Sequence, residues 1–282
     1  MSDARRLALA AFAAALTLCS TAAAAAPKTV TKTLGSVSAT LSWQQGHDRF
    51  GEPMFAHLHL AVTHDDASAY SENVHSPACG ESCELETFKG APSPLELVPL
   101  EGAGEPDVVI HLYTGGAHCC SVFQFLRWDT AASAFIASEH NFGDPGARIA
   151  DLGGDDRLEL ESADDRFAYE FGSFAFSGLP LQIWRLSEGE LIDVTREFPG
   201  ELTADAARWL HAFKTERRHG LGLGFIAAWA ADEELLGHKS LVARTLANEA
   251  SHHRLRSGDR LSVAGAAFVK KLNAFLRKTG YL

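Results

Sequence analysis

Apolar and polar residues alternate along much of residues 28–200, and this two-residue period is typical of β-strands with one buried face. Val, Ile, Phe, Tyr and Trp are frequent in these runs, and Gly, Pro, Asp and Asn separate them at short intervals. Many short strands separated by turns favour an open or curved array of antiparallel sheets. The pattern predicts strands over residues 36–43, 55–62, 106–113, 121–128, 166–177 and 181–186.

The hydrophobic period changes to that of a helix after Pro199 and Gly200. Gly280 follows the last helical turn, as expected of a glycine that ends a helix. The sequence therefore predicts an α+β fold, with a β-rich domain over residues 26–200 and a helical domain over 201–282. The alternative is a helical appendage packed on the sheet. The predicted helices cover residues 203–218, 224–236, 239–253 and 258–282.

The first 25 residues predict a secretory signal peptide. Arg5 and Arg6 precede the apolar run LALAAFAAALTLC, and small residues follow it up to a cleavage site after Ala24 or Ala25. The run is shorter than the roughly 20 residues that a membrane-spanning helix needs. We therefore expect an exported protein, periplasmic or extracellular, with no membrane span.

Charge is distributed unevenly. Residues 201–282 hold 13 Lys and Arg against 8 Asp and Glu, a net charge of +5, and residues 1–25 contribute +1. The formal net charge of the whole chain is −11, so residues 26–200 carry −17. An acidic β-rich part argues against nucleic acid as a partner, because its phosphates would be repelled. It is compatible with divalent cations.

Two segments echo one another about 52 residues apart. The segment PLEGAGEPDVVI begins at residue 99, and DLGGDDRLELES begins at 151. Leu100 aligns with Leu152, and the acidic Asp107 aligns with Glu159. Each segment leads into a predicted strand, and this spacing is compatible with an internal repeat.

Both segments resemble degenerate copies of the acidic loop of FG-GAP and VCBS repeats, which build the β-propellers of integrin-α chains. The run TGGAHCC at 114–120, with Gly115, Gly116 and His118, further resembles a group of uncharacterised secreted bacterial proteins. The resemblance covers roughly residues 95–200. It implies sheets of the repeat type and no particular activity.

The resemblance also implies calcium, because acidic side chains of such loops hold the ion. In the second copy Asp151, Asp155 and Glu159 occupy candidate ligand positions, but Gly153 brings no side-chain oxygen. Calcium prefers six to eight oxygen ligands, so we expect at most a weak calcium site here. The alternative is an acidic turn that holds no ion.

Four cysteines follow the signal peptide: Cys79, Cys83, Cys119 and Cys120. An even number in an exported protein favours disulfides. Bonds within CGESC and between the adjacent Cys119 and Cys120 are one arrangement, and bonds between the two segments are the other. Free thiols or a zinc or copper site at His118, Cys119 and Cys120, completed by His75 or His111, form a third alternative.

The sequence contains no catalytic signature that specifies an activity. It lacks G-x-S-x-G, H-E-x-x-H and a Walker loop. The leading hypothesis is an exported, non-enzymatic binding or structural module with a protein or carbohydrate partner. The alternative hypothesis is an exported hydrolase with an acidic site between the β-rich and helical parts.

Overall fold

The computed structural model describes residues 26–47, 49, 51, 53–80, 83–87, 93–102, 104–116, 118–258 and 263–282. The predicted signal peptide lies outside these residues. Within them, 13 strands form three antiparallel sheets, and four α-helices follow. The predicted α+β fold with antiparallel sheets and a C-terminal helical region is confirmed.

The first sheet is a simple meander in the order β1-β2-β3-β4. Its central strand β2 alternates buried and half-buried residues, as its sequence predicts. Asp65 and Asp66 connect the last two strands, both with positive φ, which is the backbone of a tight hairpin turn. The strands are β1 (Lys28–Leu34), β2 (Val37–His47), β3 (Pro53–His64) and β4 (Ala67–Asn73).

The second sheet is centred on an apolar strand, β7. Its run DVVIHLY is buried at every residue but the last, because neighbouring strands cover its edges and other sheets cover its faces. The order is β5-β7-β8-β9, and β6 also pairs with β7. The strands are β5 (Glu84–Leu85), β6 (Leu95–Val98), β7 (Asp107–Tyr113), β8 (Ser121–Asp129) and β9 (Ala134–Gly143).

The third sheet has the order β10-β11-β12-β13. Its inner face shares a cluster of buried residues with the second sheet, including Phe123 and Leu160. A further cluster, with Ile183 and Leu202, joins it to the helices. The strands are β10 (Arg148–Ala150), β11 (Glu159–Ala163), β12 (Leu181–Ser187) and β13 (Glu190–Asp193).

The helices are α1 (Pro199–Glu216), α2 (Leu223–Leu235), α3 (Lys239–Ser251) and α4 (Gly265–Thr279). α1 begins four residues before the predicted start, since Pro199 occupies the first helical turn, where a missing N–H costs nothing. α4 begins at Gly265 rather than at residue 258, and residues 259–262 lie outside the described part of the chain. Gly280 ends α4 in the left-handed conformation at φ 88°, as predicted. None of the described helices combines the length and apolarity needed to cross a bilayer.

The strand predicted over 166–177 was wrong. This segment forms two short 3-10 helices, Asp165–Phe167 and Phe174–Phe176, joined by a turn. Phe167 and Phe171 are buried among the helices, where both rings contact Phe275 edge-on. The alternating aromatic residues therefore reflect burial against helices and not the pleat of a sheet. Because the helical core takes in residues before 200, the domain boundary at 200 stays a prediction.

Candidate functional site

A cleft of about 520 Å³ opens at the ends of β9, β11 and β12, beside the 3-10 helix Asp165–Phe167. Its volume lies within the range of about 300 to 1,000 Å³ found for small-molecule sites. The second and third sheets provide its aromatic wall, and the 3-10 helix provides its charged wall. We call this space the inter-sheet cleft.

An ion pair forms part of the charged wall. Arg166 donates from Nε to Asp164 Oδ1 at 2.8 Å and from Nη2 to Oδ2 at 2.6 Å. Tyr281 Oη also donates to Asp164 Oδ2, at 2.9 Å. Burial raises the pKa of the Tyr281 hydroxyl, and the adjacent Asp164 carboxylate raises it further. Asp164 thus holds Arg166 at the cleft wall through two hydrogen bonds.

The second acidic residue of this wall, Asp165, is held differently. Its Oδ1 atom is buried and has no hydrogen-bond partner among the described residues. Burial raises the pKa of this carboxyl group, and the nearby charge of Asp144 raises it further. Gly143 makes the close packing possible, because an added Cβ would lie 2.6 Å from the Asp165 side chain. At φ 70°, Gly143 also adopts a backbone conformation that other residues rarely take.

Aromatic rings form the opposite wall. The ring centroid of His140 lies 5.0 Å from that of Trp184 and 4.6 Å from that of Phe142. Burial lowers the pKa of His140, so the imidazole is neutral at pH 7. Trp184 Nε1 is buried without a hydrogen-bond partner among the described residues. The neighbouring Gln182 lines the cleft as well.

The TGGAHCC segment brings Cys120 to the rim of the cleft. Thr114 N donates to Cys120 O at 3.0 Å, and Cys120 N donates to Thr114 Oγ1 at 2.7 Å, so the segment closes into a loop. Gly115 and Gly116 supply the positive φ angles of this loop, 84° and 99°. His118 lies at the loop tip, with Nδ1 3.8 Å from Asp144 Oδ1.

The cysteines are placed in local pairs, Cys79 with Cys83 and Cys119 with Cys120. This placement fits the first of the two disulfide arrangements considered above. The metal alternative receives no support: in the described part of the chain, no group of three or more His, Cys, Asp or Glu residues is placed to hold an ion. His111 is buried within β7, and burial lowers its pKa to about 4.

The loop expected to bind calcium uses its carboxylates internally. Asp151 accepts hydrogen bonds from the backbone N–H groups of Gly154, Asp155 and Asp156. Glu159 is buried and accepts from Arg185 Nε and Nη2 at 3.2 and 3.0 Å. This donor set does not fit calcium, since an arginine already neutralises one expected ligand and backbone amides occupy another. The calcium site is unconfirmed.

The segments that begin at residues 99 and 151 each contain a hydrogen bond of the same kind. Leu100 N donates to Asp107 Oδ2 at 3.0 Å, and Leu152 N donates to Glu159 Oε2 at 3.2 Å. Both carboxylates are buried at the start of a strand and close the loop that precedes it. The aligned acidic residues therefore act as loop closures.

Sequence reasoning missed the inter-sheet cleft. Of the candidate residues named from the sequence, Cys120 lines this cleft, and Asp164, Asp165 and Trp184 were not among them. The run of two aspartates and an arginine after a strand was an available signal. Nothing in the sequence signals that Tyr281 reaches Asp164 from 117 residues away.

Two proteins share sequence with parts of this chain. A probable thylakoid lumen protein of Synechocystis sp. is 30% identical over 169 residues, which cover 54% of this chain and 48% of that protein. An uncharacterized protein of Sinorhizobium fredii is 31% identical over 151 residues, covering 51% of this chain and 23% of that protein. The matches thus span less than half the length of each relative. No protein-family model matches the sequence, and no solved structure matches it significantly.

Proposed function

We propose that this protein is an exported binding protein that takes a small polar ligand in the inter-sheet cleft. The observation that carries the proposal is the construction of the cleft: aromatic rings form one wall, and a fixed ion pair forms the other. Small-molecule sites commonly combine apolar walls with a few well-placed polar groups. The signal-like N-terminus and the lumenal description of the Synechocystis relative support export.

The frame of the cleft supports binding without large movement. Asp164 is held by Arg166 and Tyr281, and Cys120 is held by two hydrogen bonds to Thr114. A preformed site loses less conformational freedom when a ligand binds. The binding surface is thus built mainly from strands and their ends.

A fragment screen by NMR tests this proposal. We would record the indole N–H signals of the ¹⁵N-labelled mature chain while adding neutral, cationic and anionic fragments. We expect some fragments to shift the signal of Trp184 and to leave that of Trp128 in place, since Trp128 stacks on His64 outside the cleft. Gln182→Trp, which fills the cleft, should abolish the shift. A screen in which no fragment moves the Trp184 signal would overturn the proposal.

The hydrolase alternative is less well supported. Asp165 and His140 both line the cleft, but His140 makes only ring contacts in the described part of the structure. A nucleophile and a general base are expected within hydrogen-bond reach of one another. At the contact between β12 and α1, where such a site was expected, apolar side chains pack beside the buried Asp205. Its carboxylate already accepts hydrogen bonds from Leu181 N and Trp209 Nε1.

Calcium is left outside this proposal because the carboxylates of the acidic loop are already bonded. We expect the melting temperature of the protein to be the same in calcium and in a chelator. A rise with calcium that Asp151→Asn removes would re-establish the site at Asp151, Asp155 and Glu159.

A further inference from the structure

A smaller cavity adjoins the inter-sheet cleft. It has a volume of about 50 Å³ and extends toward Thr279 and Tyr281 at the end of the chain. Arg166, Gln182 and Asp193 line both the cleft and this cavity. The three side chains therefore lie together where the two spaces meet, and we call them the junction residues.

The third sheet brings two of the junction residues to its face toward the cleft. Gln182 and Trp184 are two positions apart on β12, so their side chains lie on the same side of the sheet. Asp193 on β13 is the direct partner of Trp184 in the antiparallel register. The Cβ atoms of such partners are about 4.5 to 5.5 Å apart. The ring of Trp184 thus lies beside the carboxylate of Asp193.

Asp193 uses one of its two carboxylate oxygens. Its Oδ1 accepts hydrogen bonds from the backbone N–H and the hydroxyl group of Thr195, at 2.9 and 2.6 Å. Its Oδ2 has no hydrogen-bond partner among the described residues, and the residue is exposed to solvent. A ligand in the cleft can therefore reach an unused carboxylate oxygen.

Arg166 uses one edge of its guanidinium group. Its Nε and Nη2 atoms donate to the two carboxylate oxygens of Asp164. Its Nη1 atom has no hydrogen-bond partner in the part of the chain that the structure describes, and 52% of the side-chain surface is exposed. The edge formed by Nη1 and Nη2 can therefore donate to a second carboxylate, in the bidentate arrangement that suits arginine.

The junction residues do not satisfy one another. No ion pair or hydrogen bond joins Arg166 to Asp193 within the described residues. The amide of Gln182 makes no side-chain hydrogen bond to these residues either, and neither of its polar atoms is closed to solvent. The junction thus presents a positive group, a negative group and an amide that both donates and accepts, all within reach of a ligand.

From these observations we infer that the ligand is a small zwitterion, which carries an ammonium and a carboxylate group as free amino acids and short peptides do. This inference rests on the proposed function of the cleft. The ammonium group donates to Asp193 Oδ2, and the carboxylate accepts from Nη1 and Nη2 of Arg166. A ligand with one charge alone is disfavoured, because a cation would also meet Arg166 and an anion would also meet Asp193. The rings of Trp184 and His140 offer apolar surface to the rest of the ligand.

An NMR titration with blocked amino acids tests the inference. The probes are leucine, phenylalanine and glutamine, each in four forms: free, as the amide, N-acetylated, and N-acetylated as the amide. These forms carry both charges, the ammonium alone, the carboxylate alone, and neither. The side-chain amide of Gln182 and the indole of Trp184 report binding to the ¹⁵N-labelled mature chain. We expect at least one free amino acid to bind about tenfold or more tightly than its blocked forms, because each block removes a charge-assisted contact.

The same four forms of dileucine test a short peptide. A peptide bond moves the ammonium and carboxylate groups further apart. Tighter binding of free dileucine than of free leucine would identify a peptide as the ligand, and the reverse order would identify an amino acid. In both cases the free form should bind more tightly than its blocked forms.

Matched variants identify the groups involved. Asp193→Asn keeps an oxygen for the bonds from Thr195 and removes the charge, so it should weaken the free form about tenfold and spare the N-acetylated form. Glu190→Gln makes the same charge change at an exposed position of β13 outside the cleft, and it should leave every affinity unchanged. Arg166→Lys keeps a positive charge beside Asp164 and removes the Nη1 edge. It should weaken the free form and spare the amide form.

The outcomes separate this inference from the proposed function. Blocked forms that bind as tightly as the free forms would overturn the zwitterion and keep the cleft as a ligand site. Equal losses in Asp193→Asn and Glu190→Gln would do the same, as would fragments that bind in the cleft while no free form binds. Signals of Gln182 and Trp184 that neither these probes nor any fragment moves would overturn both.

Discussion

Tyr281 Oη donates a hydrogen bond of 2.9 Å to Asp164 Oδ2 and so joins the end of the chain to the wall of the inter-sheet cleft. Both side chains are buried, Asp164 with 2% of its surface exposed and Tyr281 with 6%. The phenol lies directly after Gly280, which turns the chain out of α4. The helical region therefore supports the cleft as well as covering the sheets.

Replacing Tyr281 by Phe removes this donor from a buried carboxylate. We expect Tyr281→Phe to lower the free energy of unfolding by about 1 to 3 kcal/mol, the cost of an unsatisfied buried group. Urea denaturation of the mature chain measures the change. Tyr169→Phe is the matched control, since Tyr169 is 58% exposed and its loss should change stability by less than about 0.5 kcal/mol. Equal effects of the two variants would contradict the role of the Tyr281 contact.

Glu159 and Arg185 provide a second test in the third sheet. Glu159 is 1% exposed, and Arg185 on the neighbouring strand neutralises it. We expect Arg185→Gln to cost about 3 to 5 kcal/mol, because it leaves a buried charge without its partner. The double variant Glu159→Gln with Arg185→Gln should recover part of this loss.

The matched control for Arg185 is Arg148→Gln on β10. Arg148 pairs with Glu161, but its side chain is 66% exposed. Exposed ion pairs contribute about 0 to 1 kcal/mol, so this variant should be nearly neutral in a urea titration. A loss at Arg148 equal to that at Arg185 would show that burial does not decide the effect.

Mass spectrometry decides the cysteine pairing. Two disulfides remove two hydrogens each, so we expect the unreduced mature chain to be four hydrogens lighter than the reduced chain. Trypsin cuts after Lys89 and separates Cys79 and Cys83 from Cys119 and Cys120. Local bonds then give two separate peptides, each two hydrogens light. A single linked peptide pair would establish bonds between the two segments instead.

The sequence predicts strands and helices well where the hydrophobic pattern is strong and a clear signal marks the end of the element. The apolar run DVVIHLY correctly predicts β7, and Gly280 correctly predicts the end of α4. The alternating pattern at 166–177 wrongly predicts a strand, because Phe167 and Phe171 are buried by helices more than 50 residues further along the chain. The cleft is missed for the same reason. Its unpartnered atoms and the Tyr281 contact depend on packing between distant segments, and no local pattern encodes them.

A buried acid in α2 gives the protein a specific dependence on pH. Asp232 is fully buried, and burial together with the nearby Asp205 carboxylate raises its pKa to about 10. Asp205 also accepts from Trp209 Nε1 and Leu181 N, at 2.8 and 3.1 Å, and is paired with Arg208. Asp232 is therefore the member of the pair that carries a proton at neutral pH.

The raised pKa of Asp232 determines the direction in which the stability of the protein changes with pH. An aspartate in the unfolded chain has a pKa of about 3.9, so between about pH 4 and 10 the folded state keeps a proton that the unfolded state has released. The stability from this group is complete below pH 4 and is lost as the pH rises through 10, with a slope of at most about 1.4 kcal/mol per pH unit. Burial also raises the pKa of Asp107, but only to about 7, so above pH 7 the slope from Asp232 can be measured apart from that of Asp107.

Asp232→Asn replaces the protonated acid by a neutral side chain of nearly the same shape. We expect its free energy of unfolding to fall less steeply between pH 7 and 9 than that of the unmodified chain, because the variant has no proton to release at this position. Urea titrations at pH 7, 8 and 9 measure the slope. Glu201→Gln, at an exposed position of α1, should keep the original slope. If Asp232→Asn kept it as well, the proton would not reside on Asp232, and the buried pair would have to hold its charge in another way.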